Sequence, residues 1–142
     1  MGSLEEKLSE LFGKLPPMSP NAKEMVAKWL PWVMIVFGTL GLLAVMSMLK
    51  FAFGFMGAMH MAGYMGPSFI MWINVFLGIA VGVLQLYGAY LMLSRKRLGW
   101  LIAFYGLLFG FIHTILSISI FGLIINIIFG YLLFQIREFY VN

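Results

Sequence analysis

The run from Leu98 to Gln135, LGWLIAFYGLLFGFIHTILSISIFGLIINIIFGYLLFQ, contains no formally charged residue and decides the fold. A membrane-spanning helix takes about 20 apolar residues, so this run is too long for one ordinary span. Its most polar point is Ser117-Ile118-Ser119, followed by Gly122, and a turn there divides it into spans at about 98–116 and 119–136. Upstream, Ser94-Arg95-Lys96-Arg97 closes an apolar run at about 69–93, and Lys50 closes another at about 29–49. The expected architecture is an all-α integral membrane fold. It comprises an amphipathic arm over 1–17 and a four-helix transmembrane bundle over 18–142.

Composition supports lipid as the solvent. The 142 residues are 63% hydrophobic and 10% charged, with a mean hydropathy of +1.01. Soluble domains carry about 25% charged residues. A small domain also leaves too much surface exposed to hide this much apolar area in a core. Between Trp29 and Gln135 the only formal charges are Lys50, Arg95, Lys96 and Arg97, whereas Glu5, Glu6, Glu10, Glu24 and Glu138 all lie outside. The chain has no cysteine, which excludes disulfides, thiolate nucleophiles and Cys-ligated metals.

The same charges predict orientation. One side receives Lys7, Lys14, Lys23, Lys28, Arg95, Lys96, Arg97 and Arg137, and the other receives Lys50 alone. The positive-inside rule places both termini in the cytoplasm of a multi-pass cell-membrane protein. Trp29, Trp32, Trp72 and Trp100 fall near span ends, where interfacial anchors are expected. The net charge of +4 is thus assigned to orientation and lipid head groups, and no nucleic-acid partner is expected.

In the arm, Ser3-Leu4-Glu5-Glu6 reads as a capping box with Ser3 as N-cap. Leu4, Leu8, Leu11, Phe12 and Leu15 share one face, and Pro16-Pro17 ends the helix. Ser19-Pro20 reads as a second helix start, and Pro31 is a candidate kink. Such an arm is expected to lie on the membrane face or pack on its own bundle. The sharper alternative is docking to a cytoplasmic partner.

Small and polar residues recur at helical spacing: Asn74, Gly78, Gly82, Gln85 and Ala89 in the second span, Gly99, Ala103, Gly106, Gly110, His113 and Ser117 in the third, and Ser119, Gly122, Asn126 and Gly130 in the fourth. Such stripes mark helix-packing faces in lipid. At about 1.5 Å of rise per residue, Asn74, His113 and Asn126 fall in the outer half of the membrane and Gln85 in the inner half. Interhelical hydrogen bonding explains them most simply, and an ion or small-ligand site is the alternative.

Beyond Lys50, Met56, Met59, Met61 and Met65 surround His60 in a Gly- and Met-rich segment, read as a loop. Thioether and imidazole are soft or borderline ligands that suit Cu(I). The Met-x-x-Met and Met-His-Met spacings resemble those of copper-handling proteins, including high-affinity copper transporters, whose three-span layout is not matched. The simpler reading is flexible gap-filling at the outer interface.

Several activities are excluded by what is missing. The first span carries no carboxylate of the kind small multidrug exporters need, and quinone-linked thiol oxidases and vitamin K epoxide reductase relatives require cysteines. No phosphate-binding Gly-Lys-Ser signature or paired-carboxylate site is present. His113, Ser117 and Ser119 have no acid to orient them for hydrolysis. The amphipathic start, the Arg95-Lys96-Arg97 turn and the Phe134-Gln135-Ile136-Arg137-Glu138-Phe139-Tyr140 ending together resemble small four-span prokaryotic membrane proteins of uncharacterised role. That resemblance implies an inner-membrane setting and no specific activity. The expectation is a non-enzymatic structural or accessory protein without cofactor, self-associating or bound to a membrane-protein partner. The alternative is a small transporter or channel for an ion or soft metal, using the Met/His segment and the Asn74, His113 and Asn126 region.

Overall fold

The computed structural model describes residues 2–63 and 69–140, without the side chains of residues 2, 56, 57, 59, 60, 69 and 70. The described residues form five α-helices and one 3-10 turn, with no strand among them: α1 (Gly2–Gly13), α2 (Pro20–Met61), α3 (Phe69–Leu93), α4 (Arg97–Leu116), α5 (Ile120–Gln135) and η1 (Arg137–Phe139). Three of these helices, α2, α3 and α4, are long and apolar enough to cross a membrane. The 16 residues of α5 are equally apolar but reach only about 24 Å, short of a hydrocarbon core of about 30 Å. Large apolar side chains such as Phe37, Leu40, Phe76 and Ile124 point outward, as lipid contact requires and water would not favour.

The first apolar helix departs most from expectation. It was expected to end at Lys50, yet α2 continues without interruption to Met61, so the segment read as a loop is helical that far. A lone Lys ends a membrane span but not a helix, and Gly54 costs only about 1 kcal/mol in a helix interior. The first true stop is Gly63, whose φ of +79° leaves the helical region. At its other end, α2 starts with Ser19 as cap. The Ser19 Oγ accepts a hydrogen bond from the Ala22 N–H (3.3 Å), and Pro20 occupies the first helical position.

Pro31 lies inside α2 without ending it and is fully buried. Because proline lacks an N–H, the carbonyl four residues earlier, on Ala27, loses its helical donor. The Tyr140 hydroxyl donates to that carbonyl (3.4 Å), so the chain's last described residue repairs the gap. In α1, the helix already begins at Gly2, so Ser3 sits within its first turn rather than capping it.

From α2 to α5, successive helices pack as neighbours. The α3–α4 interface is the most extensive, followed by α2–α3 and α4–α5, while α1 rests on α5. The α3–α4 turn is tight: Arg95 adopts φ +54°, and a Cβ on Gly99 would stand 2.6 Å from the Met92 nitrogen. Gly88 meets the Ala103 backbone in the same interface, where a Cβ would stand 3.0 Å from its nitrogen. The α4–α5 turn is built by Ile118 at φ +51° and by Ser119, whose Oγ accepts from the Gly122 N–H at 3.1 Å.

The packed core lies at the end of the bundle that carries both termini. Leu30 and Met34 of α2, Met92 of α3, Trp100 and Phe104 of α4, Leu133 of α5 and the following Ile136 and Tyr140 meet there. Trp100, expected as an interfacial anchor, is instead completely buried, with its indole N–H donated to the Leu133 carbonyl at 2.9 Å. Trp29 and Trp32 do remain exposed at the surface of this end.

Candidate functional site

Because α2 and α5 both flank the α3–α4 pair without packing extensively on each other, a cleft separates them. Its volume is about 510 Å³. The walls are apolar, with Val33 and Phe37 from α2 facing Ile125 and Phe129 from α5. The polar atoms come from Gln85 of α3, His113 and Thr114 of α4, and Asn126 of α5. Gly41, Gly110 and Gly122 also line it.

The polar groups differ in how they are satisfied. The Asn126 amide donates to the carbonyls of Gly122 (3.0 Å) and Gly110 (3.4 Å), which ties α5 to α4. This pairing uses the missing side chain of Gly110, where a Cβ would sit 2.7 Å from the Asn126 Oδ1. The Thr114 hydroxyl donates to the Phe111 carbonyl at 3.0 Å. Gln85 and His113 make no side-chain hydrogen bond among the described residues, and neither carries a buried unpaired atom, so their polar atoms face open space.

A second cavity of about 540 Å³ lies toward the other end of the bundle, lined by Asn74 and Val75 of α3, Val45 and Met48 of α2, and Ser117 of α4. His113 lines both cavities. In the second, the Ser117 hydroxyl lies 3.1 Å from the Asn74 Oδ1 and 2.8 Å from the His113 carbonyl.

The structure therefore distributes the residues singled out in sequence. Asn74 and His113 share one cavity, while His113, Asn126 and Gln85 share the other, although Gln85 was expected at a different depth. The glycines serve close approach: Gly78 faces Val45 and His113, Gly82 faces Leu42, Gly106 faces Leu84, and Gly130 faces Phe12 of the arm. Of the proposed soft-metal set, the side chains of Met56, Met59 and His60, and all of Met65, lie outside the described residues. Met61 is 92% exposed.

Sequence reasoning missed an ionic cluster at the terminal end. Glu5 of α1 accepts from Arg97 (2.7 Å) and forms an ion pair with Arg137 (2.6 Å) through the same carboxylate oxygen. Both guanidiniums also lie over the Trp100 ring, at 4.8 and 5.6 Å. Ser9 receives a further bond from Arg137, and Phe12 stacks on Phe134 at 5.1 Å. The arm thus packs on its own bundle through Glu5, Leu8, Ser9 and Phe12, while Leu4, Leu11 and Leu15 stay exposed. The cluster's sequence signal was only the excess of arginine at this end.

Compared with protein-family models, with curated proteins and with solved structures, the chain matches none of them.

Proposed function

We propose that this chain is a four-span membrane protein with both termini in the cytoplasm, and that it acts without catalysis, as an accessory protein. Its working surface is the α2–α5 cleft, which receives large side chains from a membrane helix of a partner protein. The observation that carries this reading is the pair Gln85 and His113, unpaired at the floor of an apolar cleft. Lipid chains offer no hydrogen bonds, so such groups gain from a partner with polar side chains. A volume of about 510 Å³ admits several side chains rather than a whole helix. Gly41, with nothing within 4 Å of an added Cβ, lets a neighbouring backbone come close. For the fourth span, the support is the apolar composition of α5, which carries no charged residue.

The absence of native cysteine makes the test direct. Single cysteines at Phe37 and Ile125, carrying a photo-crosslinker in native membranes, should give one adduct of defined mass. Tyr90, exposed and outside the cleft, should give none. Equal labelling at all three positions would remove the basis for this reading.

A second reading, transport, is favoured by His113 lining both cavities, which sets polar groups in sequence from Gln85 to Asn74 and Ser117. Liposome flux of protons or cations equal to that of empty vesicles would end it. For the soft-metal form, Cu(I) binding should fall when Met56, Met59, His60 and Met61 are replaced.

A further inference from the structure

We propose that Arg97 and Arg137 form a binding site for a phosphate group carried by an anionic amphiphile, and that Glu5 is its built-in competitor. In this reading the arm α1 is a latch that the ligand opens.

The two guanidiniums converge on a single oxygen of Glu5, at 2.7 and 2.6 Å. Two cations and one anion leave a net charge of +1 at this point. A guanidinium binds best when each of its forks meets its own oxygen, and a phosphate presents two or three where Glu5 engages one. The Arg side chains are held from behind by the Trp100 ring, so they stay in position if Glu5 leaves.

Space for the ligand is already present. A cavity of about 620 Å³ opens beside the cluster, bounded by Lys23, Arg97, Arg137 and the Glu138 carboxylate, with Phe134 of α5 as its fixed apolar wall and Phe12 and Leu15 adding to it while the arm is docked. Three cations against one carboxylate, beside an aromatic wall, suit a phosphate attached to an apolar body better than a bare ion. Lys23 is engaged by the exposed Glu138 at 3.3 Å and can turn toward a stronger anion.

The latch is light. Isolated helices of α1's length, 12 residues, are marginal in water, so α1 depends on its docking contacts. Those contacts are few: Phe12 on α5, Leu8 against the edge of the core, and Ser9 and Glu5 on the Arg pair. Leu4 and Leu11 are already about half exposed while the arm is docked, so release uncovers little more of them.

The test uses the full chain in neutral detergent, with Leu11→Cys spin-labelled as the only cysteine. Mixed micelles containing phosphatidic acid should mobilise the label saturably, and phosphatidylcholine with the same chains should not. Glu5→Gln should lower the half-saturating concentration about tenfold, and Arg137→Gln should raise it at least tenfold (tenfold being about 1.4 kcal/mol). Arg97→Lys, which keeps the charge but loses the fork, should be intermediate. Inorganic phosphate in a parallel arm distinguishes the sources: release by phosphate alone keeps the anion site but assigns it a soluble ligand. No release by either anion would overturn the proposal. So would release that is indifferent to Arg137→Gln, since that describes an arm drawn to charged surfaces in general.

Discussion

The two halves of the bundle solve the same packing problem differently. At the terminal end, side chains from four helices close around Trp100, Met34, Met92 and Tyr140, and the indole and phenol each reach a backbone carbonyl. In the middle and toward the opposite end, the helices are held by glycine contacts and by Asn126, and two cavities remain between them. Among the described residues, the buried hydrophobic core includes no member of α2 beyond Met34. The difference teaches where stability and ligand capacity reside. The closed end carries the fold, and the open region keeps polar groups free. Substitutions should therefore cost much more at the first than at the second.

The largest effect is expected for Trp100→Ala. It deletes a completely buried ring that stacks on Phe104, meets Phe134 edge-on and supports two guanidiniums. Loss of about 4 kcal/mol is expected from the cavity, with the Leu133 carbonyl also left without its donor. Thermal unfolding in detergent measures it, and a loss below about 1 kcal/mol would break the contrast between the two halves. Next comes Gly99→Ala, at about 3 kcal/mol, because the new Cβ meets backbone atoms of Leu91 and Met92 that no rotamer change can move. Its counterpart, Gly41→Ala, lines the cleft with nothing within 4 Å of its added carbon and should be nearly silent.

A smaller effect attaches to Tyr140→Phe, about 1 kcal/mol from the lost bond to Ala27. It also carries a pH signature. Burial pushes the Tyr140 phenol above its ordinary value near 10, with Arg95 partly opposing. A raised value means that the folded state favours the neutral phenol. Its stabilisation is fully present below the ordinary value and is lost as pH rises through the raised one. Tyr140→Phe should therefore narrow its deficit against the native chain above pH 10, and a constant difference would argue against a buried neutral phenol.

Much of this was legible where the signal is local. The runs at 69–93 and 98–116 and the turn at Ser117–Ser119 correspond to α3, α4 and their connections because apolar length and polar breaks act within a few residues. Ser19-Pro20 is local in the same sense. The length of α2 was not legible, because a lone charge such as Lys50 marks where an apolar span ends and leaves the helix free to continue. Trp100 was misread because a Trp at a span end looks the same whether it faces head groups or a closing helix. Gly88 went unnoticed for a related reason: what it makes room for is the Ala103 backbone of another helix. The Glu5 cluster depends wholly on where α1 docks, and no periodicity in the arm encodes that.

The smallest expected effect sharpens the comparison most. Gln85→Leu and His113→Leu each remove a polar group that has no partner among the described residues, so no bond is broken in the folded chain. Their stability change should lie within about 0.5 kcal/mol of zero, and a shift toward greater stability is compatible with relief of an unpaired amide or imidazole in lipid. Asn126→Leu, one helix away in the same cleft, should cost about 1 kcal/mol, because its amide spans the carbonyls of Gly110 and Gly122. Unfolding by denaturing detergent, run on all three, separates the two kinds of polar residue. If Gln85→Leu proves as costly as Asn126→Leu, the cleft is structural packing and its free groups are not free. If the pair is silent in stability but loses the cleft-specific crosslink, those groups are there for something other than the fold.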